Sequence, residues 1–309
     1  MTRPKVTIVG AGQVGATTAF LLLNKGVADV VMVDVAEGLP QGKALDMMHS
    51  RSVERFGRVV SGTNDYADTA GSDIVVVTAG LPRKPGMTRD DLLAANGSIV
   101  RSVIGAAVEA SPDAIVLCVT NPLDVMTYLG WKTSGLPHAR IFGMGGVLDS
   151  ARFAYAIAEE TGAAIGEIEA LVVGAHGDAM VPLPRFSTVA GAPLTELLPA
   201  DRVEALVQRT VFGGAEVVAL LKTGSAFYAP AASVAAMVEA ILGDTGRVLP
   251  SCVMLSGQYG LSDVYLSAPA SLGRDGVREI VELPLDATEL AAVRESAATV
   301  SEAVAGLGI

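Results

Sequence analysis

Five short runs of almost unbroken Val and Ile constrain this chain more than any other feature. They are KVTIVG (5–10), VVMVDV (30–35), DIVVVTAG (73–80), AIVLCVTN (114–121) and RIFGMG (140–145). A half-exposed strand alternates apolar and polar residues. These runs do not, so they predict strands buried on both faces of a parallel sheet. RVVSGT (58–63) makes a weaker sixth. Helix-length segments, among them 13–25 and 40–55, separate most of the runs. The class that follows is a doubly wound α/β sheet.

After residue 145 the rhythm changes. Ala-rich helical patterns at 149–162, 200–221, 229–242 and 286–306 alternate with β segments punctuated by Gly and Pro. Those segments are EALVVG (169–174), VLPSCVMLSG (248–257) and VREIVELPL (277–285). The expectation is two domains, a Rossmann domain over 1–145 and an α+β domain over 146–309, which suits a chain of 309 residues. No fixed-period repeat or flexible linker separates them, so the halves are expected to share an interface.

The formal net charge of −11 argues against nucleic acid or an anionic membrane as the main partner, because both require a basic face. No stretch reads as the roughly 18–20 clean apolar residues of a membrane span. The opening MTRPKVTIVGAG lacks a secretory pattern. Cys118 and Cys252 lie far apart with no metal-ligand spacing, and Cys118 sits in an apolar run, which reads as a reduced core thiol. These features together predict a cytoplasmic protein without a metal site.

GAGQVG sets Gly10, Ala11, Gly12, Gln13, Val14 and Gly15 between the first predicted strand and a helix. In such a turn the first glycine makes the bend and the second lets the backbone approach a pyrophosphate. The third lets helix and strand pack closely, and the helix N-terminus offers free N–H donors. Asp34 ends the next strand nineteen residues after Gly15, where a carboxylate takes a ribose diol and repels a 2′-phosphate. Strand, turn, helix and acid together predict NAD binding. GLPQGKA (38–44) fails as an alternative phosphate loop: its glycines are one residue too close and no Ser or Thr follows Lys43.

Of three histidines, His49 lies in a helical context and His138 in a turn after Pro137, neither in a ligand pattern. His176 differs: it follows a buried-type strand and is flanked by Gly174 and Gly177, so a ligand can approach it closely. Asp149 and Arg152 are three apart on a predicted helix, on one face. They read either as a weak surface ion pair or as partners of His176 and of a substrate carboxylate. Asn121, at a strand's carboxyl end, either initiates a turn with Pro122 or faces a ligand. Arg83, Lys84 and Arg89 crowd seven residues of a loop that Pro82, Pro85 and Gly86 keep out of regular structure.

Taken in order, GAGQVG, LPRKPGMTRDDLL, NPLD, GVLDSARF, GAHGD and GSAFYAPAAS resemble the lactate/malate dehydrogenase family over nearly the whole chain. The combination is similar to the malate branch that shares the lactate-dehydrogenase architecture. The resemblance implies reversible hydride transfer between (S)-malate and NAD, giving oxaloacetate and NADH, within the citric acid cycle. It implies His176 as general base and acid, oriented by Asp149, and Arg152 as the fork on the C1 carboxylate. It also implies Asn121 and Arg89 at the reacting oxygen, the latter on a closing loop. The cofactor is implied to lie along Gly10–Gly15, Asp34, Asn96 and the turn Val119, Thr120, Asn121, with a cis bond before Pro122. A homotetramer or homodimer is implied as well. The histidine segment departs from the family's frequent GGHGDT, with Ala175 and Ala179 in its place.

Within the family, the resemblance assigns Arg83 to the distal carboxylate of a dicarboxylate, where lactate enzymes usually carry an uncharged residue. Over a methyl group that cation would be buried unpaired, at a cost of about 3–5 kcal/mol. Lys84 reads as solvent-facing charge. An NAD-dependent glycoside hydrolase is disfavoured because neither Cys has a sequence-adjacent His. A non-catalytic NAD sensor would have no use for His176, Asp149, Arg152, Arg89 and Asn121 together.

Overall fold

The Val/Ile runs fold into β1 (Lys5–Val9), β2 (Asp29–Val33), β4 (Ile74–Val77), β5 (Ile115–Cys118) and β6 (Ile141–Gly143), and the weaker run into β3 (Val60–Thr63). The computed structural model describes residues 3–82 and 88–307, without the side chains of Arg89 and Asp90. The six strands pair in parallel in the order β3-β2-β1-β4-β5-β6. Every residue of β4, β5 and β6 is buried, which is why those runs carry no polar alternation. Helices α1 (Gln13–Asn24), α2 (Leu39–Glu54), α3 (Arg89–Ala110) and α4 (Leu123–Ser134) lie between them in the chain.

The order reverses between β1 and β4, so the ligand crevice of such a sheet lies beyond the strands' carboxyl ends. Gly10, Asp34, Thr78 and the Val119–Asn121 turn follow β1, β2, β4 and β5 on that edge. Helix α3 opens on a capping box of Thr88 and Asp91. Its Asp91–Ala110 stretch is long and apolar enough, by length and composition alone, to cross a membrane, which the sequence reading had not singled out. Here it buries Val100, Ile104 and Ala107 and packs along α4, as a crossover helix does.

The second half adds α5 (Gly146–Thr161), β7 (Ile168–Glu169), β8 (Val172–Gly174), β9 (Met180–Pro182), β10 (Thr188–Val189) and β11 (Ala192–Pro193). Then come α6 (Leu194–Leu197), α7 (Ala200–Leu221), α8 (Tyr228–Leu242), β12 (Val248–Ser256), β13 (Ser262–Gly273), β14 (Gly276–Ile280) and α9 (Ala287–Ala305). β12 pairs antiparallel with β6 through Cys252 and Gly143, so the main sheet runs on into this half. It continues through β13 to β8 and β9, with β14 on β13; β7, β10 and β11 form a small separate sheet. The fold is a Rossmann-type parallel sheet followed by an α+β half.

Two elements depart from expectation. β13 carries Ser, Pro and Ala in SDVYLSAPASLG, which hides its strand character, yet it pairs along nearly all of β12. Pro269 sits directly opposite Pro250, so the two residues without an N–H face each other. The segment expected as a strand over 277–285 leaves the sheet after Ile280, and Leu283 N–H instead donates to the Tyr259 hydroxyl at 3.2 Å. Cys118 and Cys252 are free and buried, on either side of Gly143 in register. Burial pushes the Cys118 thiol up to about 12 and the Cys252 thiol well above its ordinary value, so neither is a ready nucleophile.

Candidate active site

The Gly-rich turn leaves β1 with Gly10 at φ +105°. A Cβ on Gly15 would lie 2.0 Å from the Gly10 carbonyl oxygen, so only glycine lets α1 approach the turn this closely. At Gly12 a Cβ would meet nothing within 4 Å, which leaves open space over the backbone. Gly12 caps α1 without a side-chain hydrogen bond, so the first-turn N–H groups have no side-chain cap. Asp34 takes the Ala11 N–H at 2.7 Å with one oxygen and the Ala36 N–H at 2.9 Å with the other. The cradle therefore fits a pyrophosphate, with a carboxylate at the end of β2 for the ribose. Lys43, set aside with its failed phosphate motif, donates from Nζ to the Ala11 carbonyl at 2.7 Å and brings a cation to this turn.

Asn96 was expected beside the cofactor. It is 1% exposed, and its amide is spent on protein: Oδ1 accepts from Leu81 N at 2.8 Å, and Nδ2 donates to the Asn121 carbonyl at 2.7 Å. It clasps the start of the cationic loop to the turn after β5. Thr120 is likewise buried and donates to the Ala79 carbonyl at 2.7 Å. Val119 is half-buried and Asn121 exposed on the same turn, and the Asn121–Pro122 bond is cis.

His176 stands after β8, in a loop held from three helices. Ser296 of α9 accepts the Ala175 N–H at 2.8 Å and donates to the Ala179 carbonyl at 2.6 Å. Asp124, in the first turn of α4, accepts the His176 N–H at 2.9 Å. Asp149 of α5 holds the ring, its Oδ2 lying 2.9 Å from Nδ1. The second oxygen of Asp149 is 3.3 Å from Nη1 of Arg152. With the Asp149 side chain 2% exposed, both readings of the Asp149–Arg152 spacing hold at once, an i,i+3 ion pair and a pair turned onto His176.

Burial alone would pull the His176 imidazolium down. The charge and hydrogen bond of Asp149, with a further contribution from Asp124, hold it above its ordinary value. Among the described residues nothing bonds Nε2, and the His176 side chain is 13% exposed. That nitrogen is positioned to exchange a proton with a ligand. Two cavities meet at Asn121, His176, Gly177 and Asp178. The smaller, 240 Å³, is lined also by Arg152, Met180, Phe212 and Ser225 and is the size of a small organic acid. The larger, 1340 Å³, extends between α3 and α9. Among the described residues no three His, Cys, Asp or Glu side chains are grouped to hold a metal ion. Arg83 and the Arg89 side chain, expected at the substrate, lie outside the described residues.

A dinucleotide cradle joined to a buried His–Asp–Arg constellation defines a nicotinamide-dependent oxidoreductase, and comparison with known proteins narrows the class. Residues 4–143 match the lactate/malate dehydrogenase NAD-binding domain, and residues 146–306 match the α/β C-terminal domain of the same family. The chain belongs to the lactate/malate dehydrogenase family, and its cofactor is NAD. It is 52% identical over 305 residues to the malate dehydrogenase of Roseiflexus sp. (strain RS-1), covering 99% of each chain. The crystal structure of Cryptosporidium parvum malate dehydrogenase superposes with a TM-score of 0.97, at 41% identity over 99% of each chain. The lactate dehydrogenase of that organism, solved with lactic acid and NAD, superposes at 0.96, with 40% identity over 100% of this chain and 99% of that one.

Proposed function

We propose that this chain interconverts (S)-malate and oxaloacetate, using His176 as the proton-transfer group. The observation that carries the reading is the single Asp149 carboxylate shared between His176 Nδ1 and the Arg152 guanidinium. It sets a proton-transfer group and a carboxylate-binding group side by side at the mouth of the smaller cavity. NAD, when bound, accepts the hydride from C2 of malate or returns it to C2 of oxaloacetate. In oxidation His176 takes the C2 hydroxyl proton at Nε2, and in reduction it gives the proton back. Asp149 keeps Nδ1 protonated and stabilises the imidazolium that forms. Arg152 forks onto the C1 carboxylate, while Asn121 and Arg89 serve the reacting oxygen.

The malate and lactate dehydrogenases of Cryptosporidium parvum match this backbone almost equally well, so the substrate choice falls to side chains. Arg83 is assigned to the distal carboxylate. The test is the rate of NADH oxidation with oxaloacetate against pyruvate. Wild type is expected to prefer oxaloacetate strongly, and Arg83→Gln to move the ratio toward pyruvate by about 10²–10³-fold, the equivalent of one unpaired buried cation. An unchanged ratio sinks the assignment, and no oxidation with any 2-oxo acid sinks the function.

The proposal extends to a cytoplasmic enzyme of central carbon metabolism, in the citric acid cycle. The free, buried Cys118 and Cys252 suit a reducing compartment. It extends also to a homodimer or homotetramer. Helix α7 leaves Phe212, Val218, Leu220 and Leu221 exposed, and α2 leaves Leu45 and Val53 exposed, more apolar surface on two helices than solvent favours. Sedimentation velocity should return a dimer or tetramer mass, and a monomer at micromolar concentration would refute this part.

A further inference from the structure

Two carboxylates, not one, converge on His176. Asp149 binds the ring; Asp124, on a different helix, binds the main chain of the same residue at 2.9 Å. Asp124 is 4% exposed, and its other oxygen accepts from the Cys252 thiol at 3.3 Å. The donors it satisfies are therefore a backbone amide and a thiol, neither of which carries a charge. A neutral asparagine would answer the amide as well and would avoid burying an anion, so packing alone does not account for a carboxylate here.

We infer that Asp124 is a positioning residue for the proton-transfer step: it fixes the main chain of His176 while its charge, added to that of Asp149, holds the proton on the ring. This rests on His176 being the proton-transfer group proposed above. The charged and titratable groups around the pair are Asp149 and Arg152 from α5, Cys252 from β12 and Cys118 from β5, with Asp178 on the histidine's own loop. Of the acids, Asp149 and Asp124 both favour the imidazolium, and Arg152 opposes it. Burial pushes Asp124 up to about 6, against the hydrogen bond from the His176 N–H and the pull of the ring. Above that value it is an anion and the ring keeps its proton to higher pH. Below it Asp124 is neutral and the support is withdrawn.

The experiment follows oxaloacetate-dependent NADH oxidation across pH in wild type and Asp124→Asn, with NADH affinity measured by fluorescence titration. Reduction needs the imidazolium, so its alkaline limb reports the His176 titration. In Asp124→Asn that limb is expected to move to lower pH by about one unit, with NADH affinity unchanged. A folded, NADH-binding variant whose limb stays in place overturns the inference. Should the variant fail to fold, the wild type decides. The chain has three histidines, so the ¹³Cε1 resonance of His176 can be assigned and titrated. Two inflections, one from the ring and one from Asp124, are expected, and a single inflection overturns the inference. Wild type without activity would instead count against the function, while the resonance would still report on Asp124.

Discussion

Replacing His176 with asparagine is expected to lower the turnover of oxaloacetate reduction by about 10²–10⁴-fold, the usual contribution of a positioned acid–base group. NADH affinity should not change, because the Gly10–Gly15 cradle and Asp34 are built on other strands. Asp149→Asn should approach the same loss by another route. Its amide no longer fixes the Nδ1–H tautomer, and the largest influence holding the proton on the ring is gone. The pH dependence carries the sign. A raised His176 keeps its proton to higher pH, so reduction is favoured below the histidine's value and malate oxidation above it. In Asp149→Asn both limbs should move to lower pH. Steady-state kinetics in both directions, with NADH binding as control, check these outcomes. A His176→Asn variant that keeps wild-type turnover would remove the histidine from the mechanism.

Arg152→Lys is expected to raise the KM for oxaloacetate by about 10²–10³-fold, equivalent to roughly 2–5 kcal/mol for one desolvated charge pair. Lysine keeps the positive charge beside Asp149 but loses the planar fork that meets a carboxylate with two parallel hydrogen bonds. The Arg152 side chain is only 19% exposed, so solvent does little to replace those bonds. Gly213 and Gly214 of α7 pack against it, and a Cβ on Gly214 would lie 3.5 Å from Nη1. A shorter cation at this position therefore leaves a gap that the helix does not close. Turnover at saturating substrate should fall less than kcat/KM. An unchanged KM would mean that the substrate carboxylate is held elsewhere.

The parallel half of the fold was legible because burial on both faces leaves a direct mark, unbroken Val and Ile. β13 left no such mark. Its Pro269 and its serines are tolerated by a specific partner, β12, whose Pro250 is matched to it across the ladder. The site divides in the same manner. His176, Asp149 and Arg152 stand in short motifs at glycines and helix starts, and the fold brings them within hydrogen-bonding range. Asp124, Ser296 and Lys43 were not legible. Their partners lie 52, 121 and 32 residues away in the chain, and nothing in local spacing records such a distance. Asn96 shows a further limit: an Asn-Gly inside a helix signals a constrained position, but not that the constraint is a clasp within the protein.

The pairing of β6 with β12 bears on how a substrate can be enclosed. Backbone hydrogen bonds cross from the nucleotide half to the histidine half through one continuous sheet, from β5 through β6, β12 and β13 to β8. Rotating one half against the other would shear that sheet, at the cost of several buried hydrogen bonds. The separation between the turn after β5 and the histidine loop after β8 is therefore set by the scaffold, much as the jaws of a fixed caliper are set by its frame. Any change of shape on substrate entry must come from segments carried outside the frame, while the proton and hydride partners keep their spacing through the catalytic cycle.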